Sequence, residues 1–274
     1  MTIIEFDTLD STNRYCRRMD LRDADEFTVV WAHRQTDGIG QRGNHWVSDG
    51  EMNLTFSLVL HPTFLPPSQQ YELTKAMALG VSDWLINAFS NHLSEIQCID
   101  NPNKKKRQAH TRTFLNTATK PTVQIKWPND IYVRGRKICG MLIENYISEH
   151  YEAAVCGIGV NVNQTEFSND APNATSLKAV TGRDYELQGL LEGLLNSLQK
   201  RYAELIDTHR SPTNTIDREY LQRLMNLGKE CRYLYNETEI WATITGVSNW
   251  GHLLLITDKG EKLECAMKEI KLVE

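Results

Sequence analysis

The stretch Val123-Gln124-Ile125-Lys126-Trp127-Pro128-Asn129-Asp130-Ile131-Tyr132-Val133-Arg134-Gly135-Arg136-Lys137 decides the architecture. Residues 123 to 127 read as a strand. Pro128 stops the pairing and stiffens the turn, because it has no N–H and a fixed φ. Ile131-Tyr132-Val133 turns through Arg134-Gly135-Arg136 into a second strand, Lys137 to Ile147, and makes a hairpin. Glu152 to Val162 supplies the next antiparallel partner. This succession predicts an α+β fold built on a mainly antiparallel mixed sheet.

Working toward the N-terminus, Ile3 to Phe6 and Phe27 to Ala32 read as strands. Asp10-Ser11-Thr12-Asn13 offers side chains suited to capping a helix. Asn53 to Leu60 alternates as a half-buried strand does, with Leu54, Phe56, Leu58 and Leu60 on one face. Between them, His33 to Gly50 shows no apolar periodicity and carries Gly38, Gly40, Gly43 and Gly50. Loops of that length are uncommon in compact domains unless functional or disordered. Ser68 to Phe89 repeats Leu73, Met77, Val81, Trp84, Leu85 and Phe89 at helical spacing. Ser90 to Pro121 is polar and reads as a partly mobile surface excursion carrying the basic run Lys104 to Arg107.

Toward the C-terminus, Leu187, Leu190, Leu191, Leu194, Leu198, Tyr202 and Leu205 form the apolar stripe of a helix over Asp184 to Ile206. Thr213 to Leu227 predicts a weaker helix with Gly228 as its C-cap. Short alternating runs then follow: Cys231 to Leu234, Ile240 to Thr245, His252 to Ile256, Lys262 to Ala266 and Ile270 to Val273. They predict a small β-barrel. The expected division is 1–227 and 228–274, within the size range of one large and one small domain.

The 274 residues carry 30 basic and 35 acidic side chains, a net charge of −5, so no global basic field attracts nucleic acid. No stretch approaches the roughly 18–20 apolar residues of a membrane span. The acidic N-terminus lacks the regions of a signal peptide. A cytoplasmic location is expected. The six cysteines are scattered without a Cys-x-x-Cys pair, and Cys139 and Cys156 lie in apolar strands, which favours reduced, structural thiols over zinc ligands.

Three segments have chemical potential. In Gln35 to Trp46, glycines let backbone N–H groups converge on an anion, Arg42 adds a fixed cationic fork, and Trp46 offers a stacking face. A plain flexible loop has the same composition, and neither a Walker nor a Rossmann pattern is present. Lys126 ends an apolar strand, so it either snorkels to solvent or points into a cleft. The glycines of Gly157-Ile158-Gly159-Val160-Asn161-Val162-Asn163 mark close approach by a ligand or by a packed helix.

Taken in order, Asp-Ser-Thr-Asn, Gln-Thr-x-Gly-x-Gly-x-x-Gly-x-x-Trp, Lys-Trp-Pro-Asn-Asp, Gly-Arg-Lys-Ile-x-Gly-Met-Leu-Ile-Glu and Gly-Ile-Gly-Val-Asn-Val-Asn resemble the biotin–protein ligases. The resemblance runs from about Phe6 to Ser176 and continues in the terminal β-rich segment. It implies a class II synthetase-like catalytic domain followed by an SH3-like barrel. It also implies ATP-dependent formation of biotinyl-5′-AMP with Mg2+, then transfer to a lysine of a biotin carboxyl carrier protein, by a monomer or homodimer.

Residue by residue, the resemblance implies that Ser11, Thr12, Asn13 and Gln35 line the biotin pocket. Gly38, Ile39, Gly40, Gln41, Arg42 and Gly43 would fold over biotin and the adenylate phosphate. Trp46 would pack near adenine, with Asn129 and Asn161 on the ATP side. Lys126 would contact biotin's carboxylate and the phosphate, with Arg42 as its catalytic companion. Gly140, Met141, Leu142, Gly157 and Gly159 would form the pocket floor and wall.

Two departures stand out. Ile39 and Gln41 occupy positions where the family loop carries basic residues, which bears on loop closure and adenylate retention. The polar excursion around Lys104 is longer than the resemblance leads one to expect. No region ahead of Ile3 would hold a winged helix, so DNA binding is not expected. Lipoate–protein ligation shares fold and chemistry but lacks its arginine-rich and Gly-Gly-Gly segments here. A non-catalytic relative that binds biotin or an acceptor is a further reading. A nucleic-acid-binding barrel fits poorly, because Glu230, Glu237, Glu239, Glu261, Glu264 and Glu269 would repel phosphates.

Overall fold

A computed structural model describes residues 1–41, 45–46, 50–99, 121–169, 171–210 and 215–273, with side chains left undescribed for 93–99 and 210. The basic run Lys104 to Arg107 therefore lies outside the described residues, as do Arg42 and Gly43.

The larger sheet has seven strands: β1 (Ile3–Leu9), β2 (Thr28–Gln35), β5 (Leu54–Leu60), β6 (Val123–Lys126), β7 (Asp130–Val133), β8 (Arg136–Ile147) and β9 (Tyr151–Val160). Their spatial order is β1-β2-β5-β9-β8-β7-β6. Only β1 and β2 pair in parallel, and every other neighbour is antiparallel. The hairpin between β7 and β8 turns on Arg134 (φ 51°) and Gly135 (φ 76°). Two successive positive φ values match the right-handed twist of the flanking strands.

Both faces of this sheet are covered. On one face, Leu54, Phe56, Leu58, Cys156, Ile158, Val160, Cys139 and Met141 pack in a single buried cluster with α2 (Tyr71–Ile99), α4 (Leu187–Arg210) and α5 (Thr215–Arg223). The other face carries Ser57, Gly140, Gly157 and Gly159 beside α1 (Thr12–Arg18). Strand alternation thus sorts bulk to the helical side and leaves a shallow channel on the side of α1.

That double coverage revises several expectations. All of β5 is buried, not one face of it, because α1 seals its Thr55–Ser57–Val59 side. Strand β2 runs on to Gln35, and the expected loop contains a small ladder, β3 (Gly38–Ile39) against β4 (His45–Trp46). Helix α2 continues to Ile99, ten residues past Phe89; Ser90 is accommodated by donating its hydroxyl to the Ile86 carbonyl. The helix expected to reach Leu227 ends at Arg223, and Gly228 (φ 70°) donates its N–H to Ile244 rather than capping it.

A short helix α3 (Leu177–Thr181) precedes α4. The C-terminal segment forms a five-stranded antiparallel sheet from β10 (Glu230–Tyr235), β11 (Thr238–Val247), β12 (Leu253–Thr257), β13 (Lys262–Cys265) and β14 (Ile270–Leu272). Its order is β13-β12-β11-β10-β14. Tyr233, Ala242, Ile244, Leu253, Leu255, Cys265 and Ile270 join the same buried cluster as the large sheet. Among the described residues, Cys16, Cys139, Cys156, Cys231 and Cys265 are free thiols, and no helix is long and apolar enough to cross a membrane.

Candidate active site

The Lys-Trp-Pro-Asn-Asp turn between β6 and β7 is held at every residue. The Pro128 carbonyl accepts from Tyr71 Oη at 3.0 Å and from Tyr220 Oη at 2.7 Å, tying the turn to α2 and α5. Burial pushes both phenols above their ordinary pKa, so they remain protonated donors. Trp127 Nε1 donates to the Gly251 carbonyl at 3.0 Å, in the turn before β12. Asn129, 2% exposed, donates from Nδ2 to the Met141 carbonyl at 3.1 Å. Asp130 pairs with Lys137 Nζ at 2.7 Å. With the turn fixed, Lys126 lines the cleft, its Nζ 3.3 Å from Tyr132 Oη and 5.0 Å from that ring's centroid.

Across the sheet, α1 presents a connected polar chain. Ser11, Thr12 and Asn13 are all nearly fully buried. Ser11 is the N-cap by position, but its hydroxyl makes no capping hydrogen bond. Gln35 Oε1 accepts from the Thr12 N–H at 2.8 Å. Ser57 Oγ lies 2.8 Å from Thr12 Oγ1 and 2.7 Å from Asn13 Oδ1. Asn13 Nδ2 donates to Glu144 at 2.9 Å, and Arg17 braces that carboxylate from outside. Burial drives the neighbouring Cys16 thiol up to about 12, so it is not a nucleophile at neutral pH.

The glycines mark where these parts meet. A methyl at 157 would lie 2.0 Å from Asn13 Oδ1, and one at 159 would lie 2.4 Å from Trp46 Cε2. Gly140, paired with Gly159, leaves 3.1 Å to Trp46 Cζ3. The glycines therefore let α1 and the Trp46 indole sit directly on the sheet. The β3–β4 ladder carries Trp46 there, and its buried Nε1 has no hydrogen-bond partner among the described residues. Beyond it, Gln41 Nε2 donates to Asn129 Oδ1 at 3.0 Å. At the base of the loop, the Arg14 guanidinium beside Asp37 holds that carboxyl below its ordinary range.

Together these groups line a cleft of about 720 Å³. Ser11, Thr12, Asn13, Gln35, Ile39, Gly40, Gln41, Trp46, Lys126, Gly140, Met141, Leu142, Gly157 and Gly159 all line it. Gly38 and Asn129 stand just behind it, each against a lining residue. Asn161 is not on the lining; its Nδ2 donates to the Thr175 carbonyl at 3.0 Å. Residues not singled out from the sequence complete the walls: Ser57 and Glu144 behind Asn13, Asp130 and Lys137 at the floor, and Tyr233, Glu239, Ile244 and Leu272 from the C-terminal sheet. Ser57 gave no signal, because the alternation of Leu54, Phe56, Leu58 and Leu60 puts it on the face that reads as solvent-exposed. The C-terminal residues gave none either, since only the tertiary fold brings that sheet to the cleft.

The family model described as the biotin/lipoate A/B protein ligase family matches residues 5–161, and the chain belongs to that family. The chain is 27% identical over 266 residues to the bifunctional ligase/repressor BirA of Bacillus subtilis, covering 95% of this chain and 71% of that protein. It is 28% identical over 243 residues to the biotin--[acetyl-CoA-carboxylase] ligase of Paracoccus denitrificans, covering 85% and 86%. Among solved structures, the biotin protein ligase from Aquifex aeolicus in complex with biotin and ATP matches with a TM-score of 0.70 at 26% identity, covering 100% of this chain and 99% of that one.

Proposed function

We propose that this chain is an ATP-dependent biotin–protein ligase. It joins biotin to AMP as biotinyl-5′-AMP and passes the biotinyl group to a lysine of a biotin carboxyl carrier protein or domain. The observation that carries this reading is the position of Lys126 in one cleft with the buried Thr12 and Asn13, the half-buried Gln35 and the glycine floor. That arrangement suits a small, hydrogen-bonding acid at one end and a phosphate at the other. Membership in the family and likeness to biotin ligases support it.

In the first step a biotin carboxylate oxygen attacks the α-phosphorus of ATP and pyrophosphate leaves. Two anionic groups must meet, so the Lys126 ammonium offsets their repulsion and stabilises charge developing on the phosphoryl oxygens. Arg42 is assigned as its partner by position in the loop. Trp46 and Gln41 cover the cleft, exclude water and protect the hydrolysable mixed anhydride. No protein nucleophile is required. In the second step the neutral amine of the acceptor lysine attacks the acyl carbon, AMP departs and an amide forms.

Among the described residues no group of three His, Cys, Asp or Glu side chains is placed to hold a metal. Mg2+ enters as part of the substrate, the counter-ion of ATP's phosphates. In this reading residues 1–227 carry the chemistry, and 228–274 form an SH3-like barrel that closes one wall. The free thiols accord with a reducing, cytoplasmic setting.

The test is biotin-dependent exchange of labelled pyrophosphate into ATP without acceptor. Exchange with biotin but not lipoate supports the reading, and Lys126→Ala should reduce it by about 100-fold or more. Exchange with lipoate alone would transfer the chain to the lipoate branch of the family. Biotin binding without exchange would make it a non-catalytic relative.

A further inference from the structure

Resting on the biotin-ligase reading, we propose that His45 is the general base of the transfer step and that Asp37 orients it. The step needs a base. As the acceptor lysine's neutral amine attacks the acyl carbon, its nitrogen becomes positively charged and must lose a proton to end as an amide. Among the described lining residues, Lys126, Lys137 and Lys271 carry ammonium groups, which donate and do not accept. Asp130 is committed to Lys137 at 2.7 Å. Burial raises the Tyr233 phenol far above its ordinary pKa, so it stays protonated. Glu239, from the C-terminal sheet, is a carboxylate, and carboxylates are weaker bases than an imidazole. His45 is the imidazole on the lining.

Its placement suits that role. The pairs Ile39–His45 and Gly38–Trp46 hold β4 against β3, and the Trp46 indole lies on the floor, 2.4 Å from where a methyl at 159 would be. Successive side chains of a strand leave on opposite sides, so His45 stands at the mouth of the cleft with its side chain 72% exposed. An acceptor lysine is carried by another protein and reaches the adenylate from solvent, so its base must be reachable there. His45 Nδ1 lies 3.2 Å from Asp37 Oδ1. A carboxylate only accepts, so it favours the ring proton on Nδ1 and leaves the Nε2 lone pair free. Nε2 has no hydrogen-bond partner among the described residues. Asp37 is held in turn: Oδ2 pairs with Arg14 of α1, and its N–H donates to the Asp10 carbonyl at 2.9 Å. In the step itself the C–N bond forms and Nε2 takes the nitrogen's proton. The bond from the acyl carbon to the phosphate oxygen breaks, and AMP leaves with its electron pair. Asp37 stabilises the imidazolium until it gives the proton to water.

The experiment starts from synthetic biotinyl-5′-AMP bound to excess protein, which bypasses the first half-reaction. Single-turnover transfer is followed to a purified biotin carboxyl carrier domain and, separately, to hydroxylamine, with the reaction in free solution subtracted. Hydroxylamine is far less basic than a lysine amine and attacks acyl-adenylates without help from a base. Wild type, His45→Ala, His45→Gln and Asp37→Asn are compared. In His45→Ala the ratio of carrier to hydroxylamine transfer should fall by about 100-fold or more, the usual share of a general base. His45→Gln should fall as far, because its amide still forms hydrogen bonds but takes no proton. Asp37→Asn should fall less, as the loss of an orienting group. Added imidazole should restore part of the carrier rate in His45→Ala. A wild-type ratio in His45→Ala or His45→Gln would overturn the base while leaving the ligase reading intact; equal losses with both nucleophiles, the mark of a structural role, count as such a ratio. Failure of wild type to transfer from the adenylate to the carrier lysine would overturn the transfer half of the ligase reading and the base with it.

Discussion

Replacing Gly157 with alanine places a methyl 2.0 Å from Asn13 Oδ1 and 2.8 Å from its Cγ. Carbon contacts are comfortable near 3.5–4.0 Å, so the amide must retreat by about 1 Å or more. It has little freedom to do so, because Asn13 is 4% exposed and bonded on both sides. Its Oδ1 accepts from Ser57 at 2.7 Å and its Nδ2 donates to Glu144 at 2.9 Å. Losing one neutral and one charge-assisted hydrogen bond costs about 2–4 kcal/mol. Expressed wholly in ligand affinity, that is roughly 30- to 700-fold in the biotin Kd. Expressed wholly in stability, it lowers Tm by about 2–4 °C per kcal/mol for a chain of this size. Calorimetric titration with biotin and scanning calorimetry on the same preparation read both shares. A variant with wild-type Tm and a biotin Kd within two-fold of wild type (about 0.4 kcal/mol) would refute the placement of Asn13 against the glycine floor.

Two further perturbations test the scaffold. Gly193→Ala on α4 adds a methyl at ordinary contact, 3.5 Å from Trp84 Nε1, and should stabilise by about 0.4–1 kcal/mol; Gly80→Ala on α2 meets Leu198 Cδ2 at 2.9 Å and should destabilise by about 1–3 kcal/mol. Denaturant unfolding checks both, and shifts of the same sign would refute the packing of α2 on α4. Asp83 accepts from Arg201 at 2.6 Å and pairs with Arg223 at 2.7 Å. Burial raises its pKa, but the two guanidiniums together lower it by more, leaving it below the ordinary carboxylate value. A depressed folded pKa stabilises fully above the unfolded value of about 4 and loses that stabilisation as pH falls through the folded value. Asp83→Asn should therefore lower Tm at neutral pH, with the gap from wild type closing in strong acid; an equally wide gap there would contradict the ion-pair account.

The strands were legible because each has a periodicity of its own. Gly157–Ile158–Gly159–Val160 already separates small from large side chains with a period of two, and the structure uses the large set for the helical core and the small set for the cleft. The runs after Gly228 were legible for the same reason, and all became strands. Helix α2 was read short because Ser90-Asn91-His92 interrupt the stripe directly after Phe89, although Leu93 and Ile96 carry its helical spacing on toward Ile99. The coverage of β5 was misjudged because Thr55 and Ser57 look like a solvent face. Their hydroxyls are instead spent on the Ala32 carbonyl and on α1.

The sequence by itself determined the α+β class, the position of the turn carrying Lys126, and the part of the cleft lining that falls in contiguous motifs, from Ser11–Asn13 to Gly157 and Gly159. Only the tertiary structure decided which side of the sheet would be the floor, that Gln41 would meet Asn129, that Asp130 would pair with Lys137, and that Tyr233 and Leu272 would wall the same cleft. It also assigned Asn161 to the Thr175 carbonyl rather than to the cleft. The physical reason is that a hydrogen bond or ion pair between residues distant in the chain depends on the relative placement of packed elements. Periodicity along the chain reports which face of one element is buried, and carries no information about which other element covers it.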